Sequence, residues 1–218
     1  MSPLGAIDCT TPVPPSEAAA DLDLLAAILE GRTLPGSGRA AAAALIDMFD
    51  GLAGVAAADA AALRRAGLPS GAVADLGRVR ALALAMTRDQ ACRRPVVSSW
   101  SALMTYLRAS LAHAPREQFR ALYLDKRNIL MRDEMWADGT VDHAPVYVRE
   151  VVRRALELSA SAMILVHNHP SGDPTPSRAD IDMTRKITAA AQVFDIQVHD
   201  HVIVGREGTK SFRALGLM

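Results

Sequence analysis

The stretch His167-Asn-His169-Pro-Ser-Gly-Asp-Pro-Thr-Pro-Ser177-Arg-Ala-Asp180 follows an uncharged apolar run, Ala162-Met-Ile-Leu-Val166. Together they decide how the second half of the chain folds. The apolar run reads as a buried strand. Alternate strand side chains share a face, so His167 and His169 point the same way, roughly 6.5–7 Å apart along the strand. Two imidazoles leaning inward across that gap can reach one ion. Pro170 removes a backbone donor and ends the strand. The Pro-, Gly- and Asp-rich turn from Pro170 to Pro176 folds the chain back. From Ser177 to Phe194, residues Ile181, Thr184, Ile187, Ala191 and Phe194 recur at helical spacing, with Asp180 in the first turn. Two neutral imidazoles and a carboxylate suit zinc, with a fourth position left to water as in catalytic sites. Ser177-x-x-Asp180 also matches a helix capping box. The two readings are only partly exclusive, because Ser177 can cap while Asp180 turns to a metal.

His-x-His, seven residues, Ser, two residues and Asp is the JAMM (MPN/JAB) metalloprotease signature without a gap. The longer string HNHPSGDPTPSRAD, with Asp182-Met-Thr184 and later Asp200-His201, resembles the RadC family in particular. The resemblance covers about Glu117 to Met218 and extends more faintly upstream to about Asp21. It implies a zinc domain with one zinc per chain, held by His167, His169 and Asp180. It implies that Ser177 hydrogen-bonds the oxygen that becomes negative in the transition state. It also implies a general-base glutamate at the start of an earlier strand. Glu117, Glu134, Glu150 and Glu157 are the candidates. Glu117 fits best, standing two residues before the strand-like run Phe119-Arg-Ala-Leu-Tyr-Leu124. The implied reaction is hydrolysis of an amide or isopeptide bond in an unidentified protein or peptide substrate.

The remaining elements suggest an α+β chain in which a mixed sheet flanked by helices follows a small all-α domain. Residues 1–17, with four prolines, read as disordered. Residues 18–88 are Ala- and Leu-rich and read as helices. One has Leu22, Leu24, Leu25, Ile28 and Leu29 on one face, and others span Ala41–Phe49, Ala57–Ala66 and Ala72–Met86. Residues 89–100 read as a linker and 101–218 as the zinc domain. Within the latter, the pattern predicts a helix over Ser101–Ala112 and a strand over Ile129–Trp136. It also predicts a helix over Val148–Ser159 and a last strand over Ile196–Gly205. His199-Asp200-His201 is a second His-x-His, but no acid follows at a useful spacing, which favours a supporting role for Asp200 and His201.

The helical half resembles the N-terminal region of the same family, whose end looks like a helix-hairpin-helix. In that module the backbone N–H groups of a glycine turn grip DNA phosphate. The turn here reads Ala66-Gly67-Leu68-Pro69-Ser70-Gly71 and lacks the basic residue usual just after it. Residues 1–88 hold seven Arg against nine Asp and Glu, and the whole chain has a formal net charge of zero. Strong sequence-independent nucleic-acid binding needs a basic face, so DNA binding is expected to be weak. Two cysteines, Cys9 and Cys92, make no disulfide framework. The N-terminus lacks the basic start and long apolar core of a signal peptide. No apolar run is long enough for a membrane span. A cytoplasmic location is the expectation. Three functions therefore compete: a zinc-dependent hydrolase, a DNA repair or recombination factor, and a non-catalytic metal-binding interaction module. The complete His/His/Ser/Asp set favours the first.

Overall fold

The computed structural model of the chain describes residues 15–33, 37–92, 95–138 and 146–218. The expected disordered segment lies largely outside them, as does Cys9. Its end is helical, however: helix α1 spans Pro15–Leu29. Proline is accepted there because a first-turn N–H has no intrahelical partner to lose.

The chain divides into two compact units, with the boundary between Leu82 and Ala83. In the first unit, α1 is followed by α2 (Gly38–Met48), α3 (Leu52–Ala57) and α4 (Ala60–Arg65), and then by the start of α5 (Ser70–Cys92). Leu25 and Leu29, Ala42 and Leu45, Val55, Leu63, Leu68, Val73 and Leu76 are buried together as its core. Full burial of each such aliphatic side chain contributes about 1.5–3 kcal/mol. Leu24, expected on the inward face of α1, is exposed. The predicted single helix over Ala57–Ala66 is broken at Ala58, and Asp59 caps α4 by accepting from the Ala62 N–H at 2.7 Å. Gly67 turns the chain from α4 into α5 with φ 91°, a left-handed conformation that a Cβ disfavours.

In the second unit, helix α6 spans Trp100–Leu111 and α7 spans Val148–Glu157. Strands β1 (Gln118–Leu124), β2 (Leu130–Asp138), β3 (Ala162–Asn168), β4 (Gln197–Gly205) and β5 (Gly208–Ser211) surround helix α8 (Arg178–Gln192) in the sequence. They form one sheet in the order β2-β1-β3-β4-β5. Only the β3–β4 pair is parallel, joined by the α8 crossover. The others are antiparallel. The α+β class expected from the sequence is the one observed.

Helix α6 packs one sheet face through Leu103, Tyr106, Leu107 and Leu111 against Leu122, Leu124, Ile164, Val166, Val202 and Val204. Helices α7 and α8 cover the other face through Val151, Val152, Ala155, Ile187 and Ala191. Helices on both faces explain why β3 is apolar without alternation and buried at every position.

Two further sequence expectations are corrected, and one strand went unforeseen. Residues 89–100 are not a simple linker: α5 runs on to Cys92, Ala91 and Val96 enter the α6-side core, and a 3-10 turn covers Val96–Ser98. Phe194 lies beyond the end of α8 and is exposed. Strand β5 was not foreseen, because four residues with a glycine and a lysine carry no usable alternation. Among the described residues, no helix is long and apolar enough to cross a membrane.

Candidate metal centre

Strand β3 ends at the two histidines. His167 is buried within it, and His169 lies just past its end, where its N–H still bonds the Val204 carbonyl of β4 at 3.0 Å. The returning loop is clamped against the β4–β5 hairpin. The Glu207 N–H bonds the Gly172 carbonyl at 3.2 Å, and Arg206 donates to the Ser171 carbonyl at 3.1 Å. Gly205 permits this approach, since a Cβ there would overlap the Gly172 carbonyl oxygen. Ser177 then caps α8. Its Oγ accepts from the Asp180 N–H at 3.2 Å, and the Asp180 carboxylate accepts from the Ser177 N–H at 2.7 Å, completing a capping box.

This folding brings His167, His169 and Asp180 together, with one ligand atom from each lying within 4.8 Å of the others. The two Nε2 atoms are 2.9 Å apart. His167 Nε2 is 3.2 Å from Asp180 Oδ1, and His169 Nε2 is 3.5 Å from Asp180 Oδ2. The other nitrogen of each ring is engaged elsewhere. His169 Nδ1–H donates to the Asp173 carbonyl at 2.8 Å, and a carbonyl can only accept. His167 Nδ1 lies 2.8 Å from His201 Nε2. When the Nδ1 positions hold the protons, two imidazole lone pairs and a carboxylate converge on one point. Three acceptors at these distances repel one another unless positive charge sits among them.

Protons can supply that positive charge as well as a metal: burial alone would push the Asp180 carboxyl up, but with His167 and His169 protonated on Nε2 their hydrogen bonds outweigh it and hold the group far below the usual carboxylate range. The bond to Asp180 pushes His169 above its ordinary value. The donor set therefore fits a divalent cation, and two imidazoles with one carboxylate suit zinc among the common metals.

Glu117 directly precedes β1, and extending the Phe119–His167 register of β1 and β3 by two residues would set it opposite His169. Its charge helps raise the His169 imidazole. The other three candidate glutamates are engaged away from the cluster. Glu134 pairs with Arg154 at 2.6 Å, Glu150 with Arg153 at 2.9 Å, and Glu157 with Arg154 at 3.1 Å.

Several residues around the site were not singled out from the sequence. Asn168, between the two histidines, points to the opposite face and is buried. Its Oδ1 accepts from the Gln118 N–H at 2.9 Å and its Nδ2 donates to the Arg116 carbonyl at 3.0 Å, so it brackets the backbone of Glu117. The available signal was the alternation itself, which puts a polar amide on a buried face where it needs partners. The sequence places Thr184 only by its helical spacing. It donates to the Asp180 carbonyl at 2.6 Å and lies 2.5 Å from His201 Nδ1.

The second His-x-His separates into different roles. His201 is buried beside His167, between the rings of Phe119 and Phe212, and burial pushes its imidazole well below the ordinary value. Asp200 faces away from the cluster and accepts from Ser211 Oγ at 2.5 Å and the Arg213 N–H at 3.0 Å. His199 contacts Asn128 at 2.6 Å, at the β1–β2 turn.

An α+β sheet with a His-x-His at a strand end and an aspartate in the first turn of the following helix, a group that could hold a metal ion, is the arrangement of a JAB-type domain. The family model described as RadC-like JAB domain matches residues 97–217. A protein of Rhodobacter capsulatus named UPF0758 protein is 50% identical over 205 residues, covering 93% of this chain and 95% of the relative. The chain belongs to the RadC-like JAB domain family.

Proposed function

We propose that this chain is a zinc-dependent hydrolase that cleaves an amide or isopeptide bond in a protein or peptide substrate. The observation that carries the reading is the convergence of three acceptor atoms, from His167, His169 and Asp180, whose mutual repulsion a cation relieves. Zinc bound there supplies Lewis acidity that makes water a nucleophile near neutral pH.

The protein's own groups do the rest. Glu117, across from His169, takes a proton from the attacking water as its oxygen bonds to the substrate carbonyl carbon. The Ser177 hydroxyl uses its oxygen as the capping acceptor, so its proton is available to donate to the developing oxyanion. When the C–N bond breaks, Glu117 returns the proton to the leaving amine. Asn168 holds the backbone on both sides of Glu117, which keeps that carboxylate at the mouth of the site.

Protein purified without chelator is to be analysed for metal and then incubated with panels of peptide and isopeptide substrates, before and after chelation. The reading expects one zinc per chain and cleavage that chelation abolishes and zinc restores. Metal content unchanged in a His167→Ala, His169→Ala double variant would remove the assignment. Stoichiometric zinc with no cleavage in any panel would favour the non-catalytic binding module.

A further inference from the structure

A chain of hydrogen bonds runs from the backbone of α8 to the back of a proposed metal ligand, and its direction can be read from which atoms are able to donate. Its first link is the contact between Thr184 Oγ1 and the Asp180 carbonyl, 2.6 Å. A carbonyl has no proton, so the hydroxyl spends its single proton there. The second link is Thr184 Oγ1 to His201 Nδ1, 2.5 Å. With the hydroxyl proton committed, this bond must be donated by His201 Nδ1–H. His201 is buried between the rings of Phe119 and Phe212, where a charged imidazole is costly, so it holds one proton and its Nε2 carries a lone pair. The third link is His201 Nε2 to His167 Nδ1, 2.8 Å. It is therefore donated by His167 Nδ1–H, which leaves the His167 Nε2 lone pair facing His169 and Asp180.

We infer that Thr184 and His201 are positioning residues that lock His167 into its Nδ1–H tautomer and so pre-set its Nε2 as a ligand. The inference rests on the reading of His167, His169 and Asp180 as a zinc site and adds to it the device that prepares one of them. The alternative tautomer would place a proton on His167 Nε2, pointing at the other two acceptors, His169 Nε2 and the Asp180 carboxylate. Zinc would then have to displace that proton and reverse every bond in the relay. His169 has a simpler arrangement, since a backbone carbonyl, that of Asp173, sets its tautomer directly. Strand β3 gives His167 no such carbonyl. The buried His201, one strand away on β4 and held by Phe119 and Phe212, takes its place. Histidine ligands are commonly oriented through their second nitrogen, and loss of such a partner costs about 10- to 100-fold in metal affinity.

The test uses the full chain, with histidine nitrogens labelled and read by long-range nitrogen–proton NMR on metal-free protein. The pH is raised until His167 holds a single proton. Zinc affinity is measured in parallel by competition with a chromophoric chelator, which needs no substrate. Wild-type protein should show His167 protonated on Nδ1. Thr184→Val, nearly isosteric but without the hydroxyl, should move the proton to Nε2 in part or in full and weaken zinc binding about 10- to 100-fold. Thr184→Ser should retain the wild-type tautomer and affinity. A wild-type His167 protonated on Nε2 would overturn the inference, whatever the variants do. So would a folded Thr184→Val protein whose zinc affinity stays within about twofold of wild type. If Thr184→Val does not fold, the wild-type tautomer decides the matter alone. Wild-type protein with the Nδ1–H tautomer but no zinc binding would sink the metal reading and leave the relay standing.

Discussion

Phe119 of β1 stands directly opposite His167 of β3, with the two rings stacked at 19° and 6.4 Å between centroids. The pairing does more than pack a ring against a proposed ligand. Extended two residues further, this register would set Glu117 across from His169, although all of β1, β2, α7 and β3 lie between the two in the sequence. A slip of one residue would turn Glu117 to the opposite sheet face.

Glu117→Gln should retain one zinc per chain and lose hydrolysis by about 10²- to 10⁴-fold, the usual worth of a positioned proton-transfer group. Glu134→Gln serves as the control. It breaks the pair with Arg154 and should cost stability alone. Metal analysis and steady-state rates on the two variants separate the roles, and the assignment is lost if the activities come out reversed.

Ser177→Ala should show two independent losses. Removing the cap lowers stability by about 1 kcal/mol. Removing the hydroxyl proton donor lowers kcat by about 10²-fold. Ser177→Asp restores a capping oxygen but, ionised, has no proton to give, so it should recover stability without turnover. A Ser177→Ala enzyme with wild-type kcat would reduce Ser177 to its capping bond.

Gly205→Ala tests the clamp on the ligand loop. The new Cβ meets the Gly172 carbonyl, so the turn carrying His169 must move away from β4. Thermal melting should fall by the equivalent of about 1–3 kcal/mol, as for other overpacked sites. Zinc affinity should fall with it. A destabilised protein that binds zinc as tightly as wild type would show that the loop position does not matter to the site.

The full chain should bind double-stranded DNA weakly at physiological salt. The α4–α5 turn has the glycine of a hairpin, but Arg32 and Arg78 both pair with Asp75 on α5. Each phosphate neutralised steepens the salt dependence of log K by about 0.9. A titration should give a shallow slope. Sub-micromolar affinity with a steep slope would revive the repair-factor reading and direct the substrate search to DNA-bound proteins.

The three proposed ligands were legible in the sequence because each depends on local geometry. Alternation along β3 pairs His167 with His169, and a capping box puts Asp180 at the first turn of α8. Glu117 was half legible: an apolar run identified its strand, but only the β1–β3 register brings it to His169. Thr184 and Asn168 were missed because their partners come from other strands. No spacing within α8 announces that His201 of β4 will lie behind His167, since that depends on β4 adding in parallel beside β3. The end of α8 was overrun at Phe194 because apolar periodicity continues past the point where the backbone turns. The supposed linker misled in the opposite way: Arg, Pro and Ser around 93–99 concealed the two apolar residues, Ala91 and Val96, that enter the core.

Helix α8 carries Ser177 at its cap, Asp180 in its first turn and Thr184 one turn further on, so three contributions to the centre ride on a single rigid rod. A displacement of that rod along its axis cannot loosen one of them and spare the others. Any partner or mutation that shifts α8 should therefore switch the centre off as a unit, and a population of such molecules would divide into intact and inert species rather than share a graded loss.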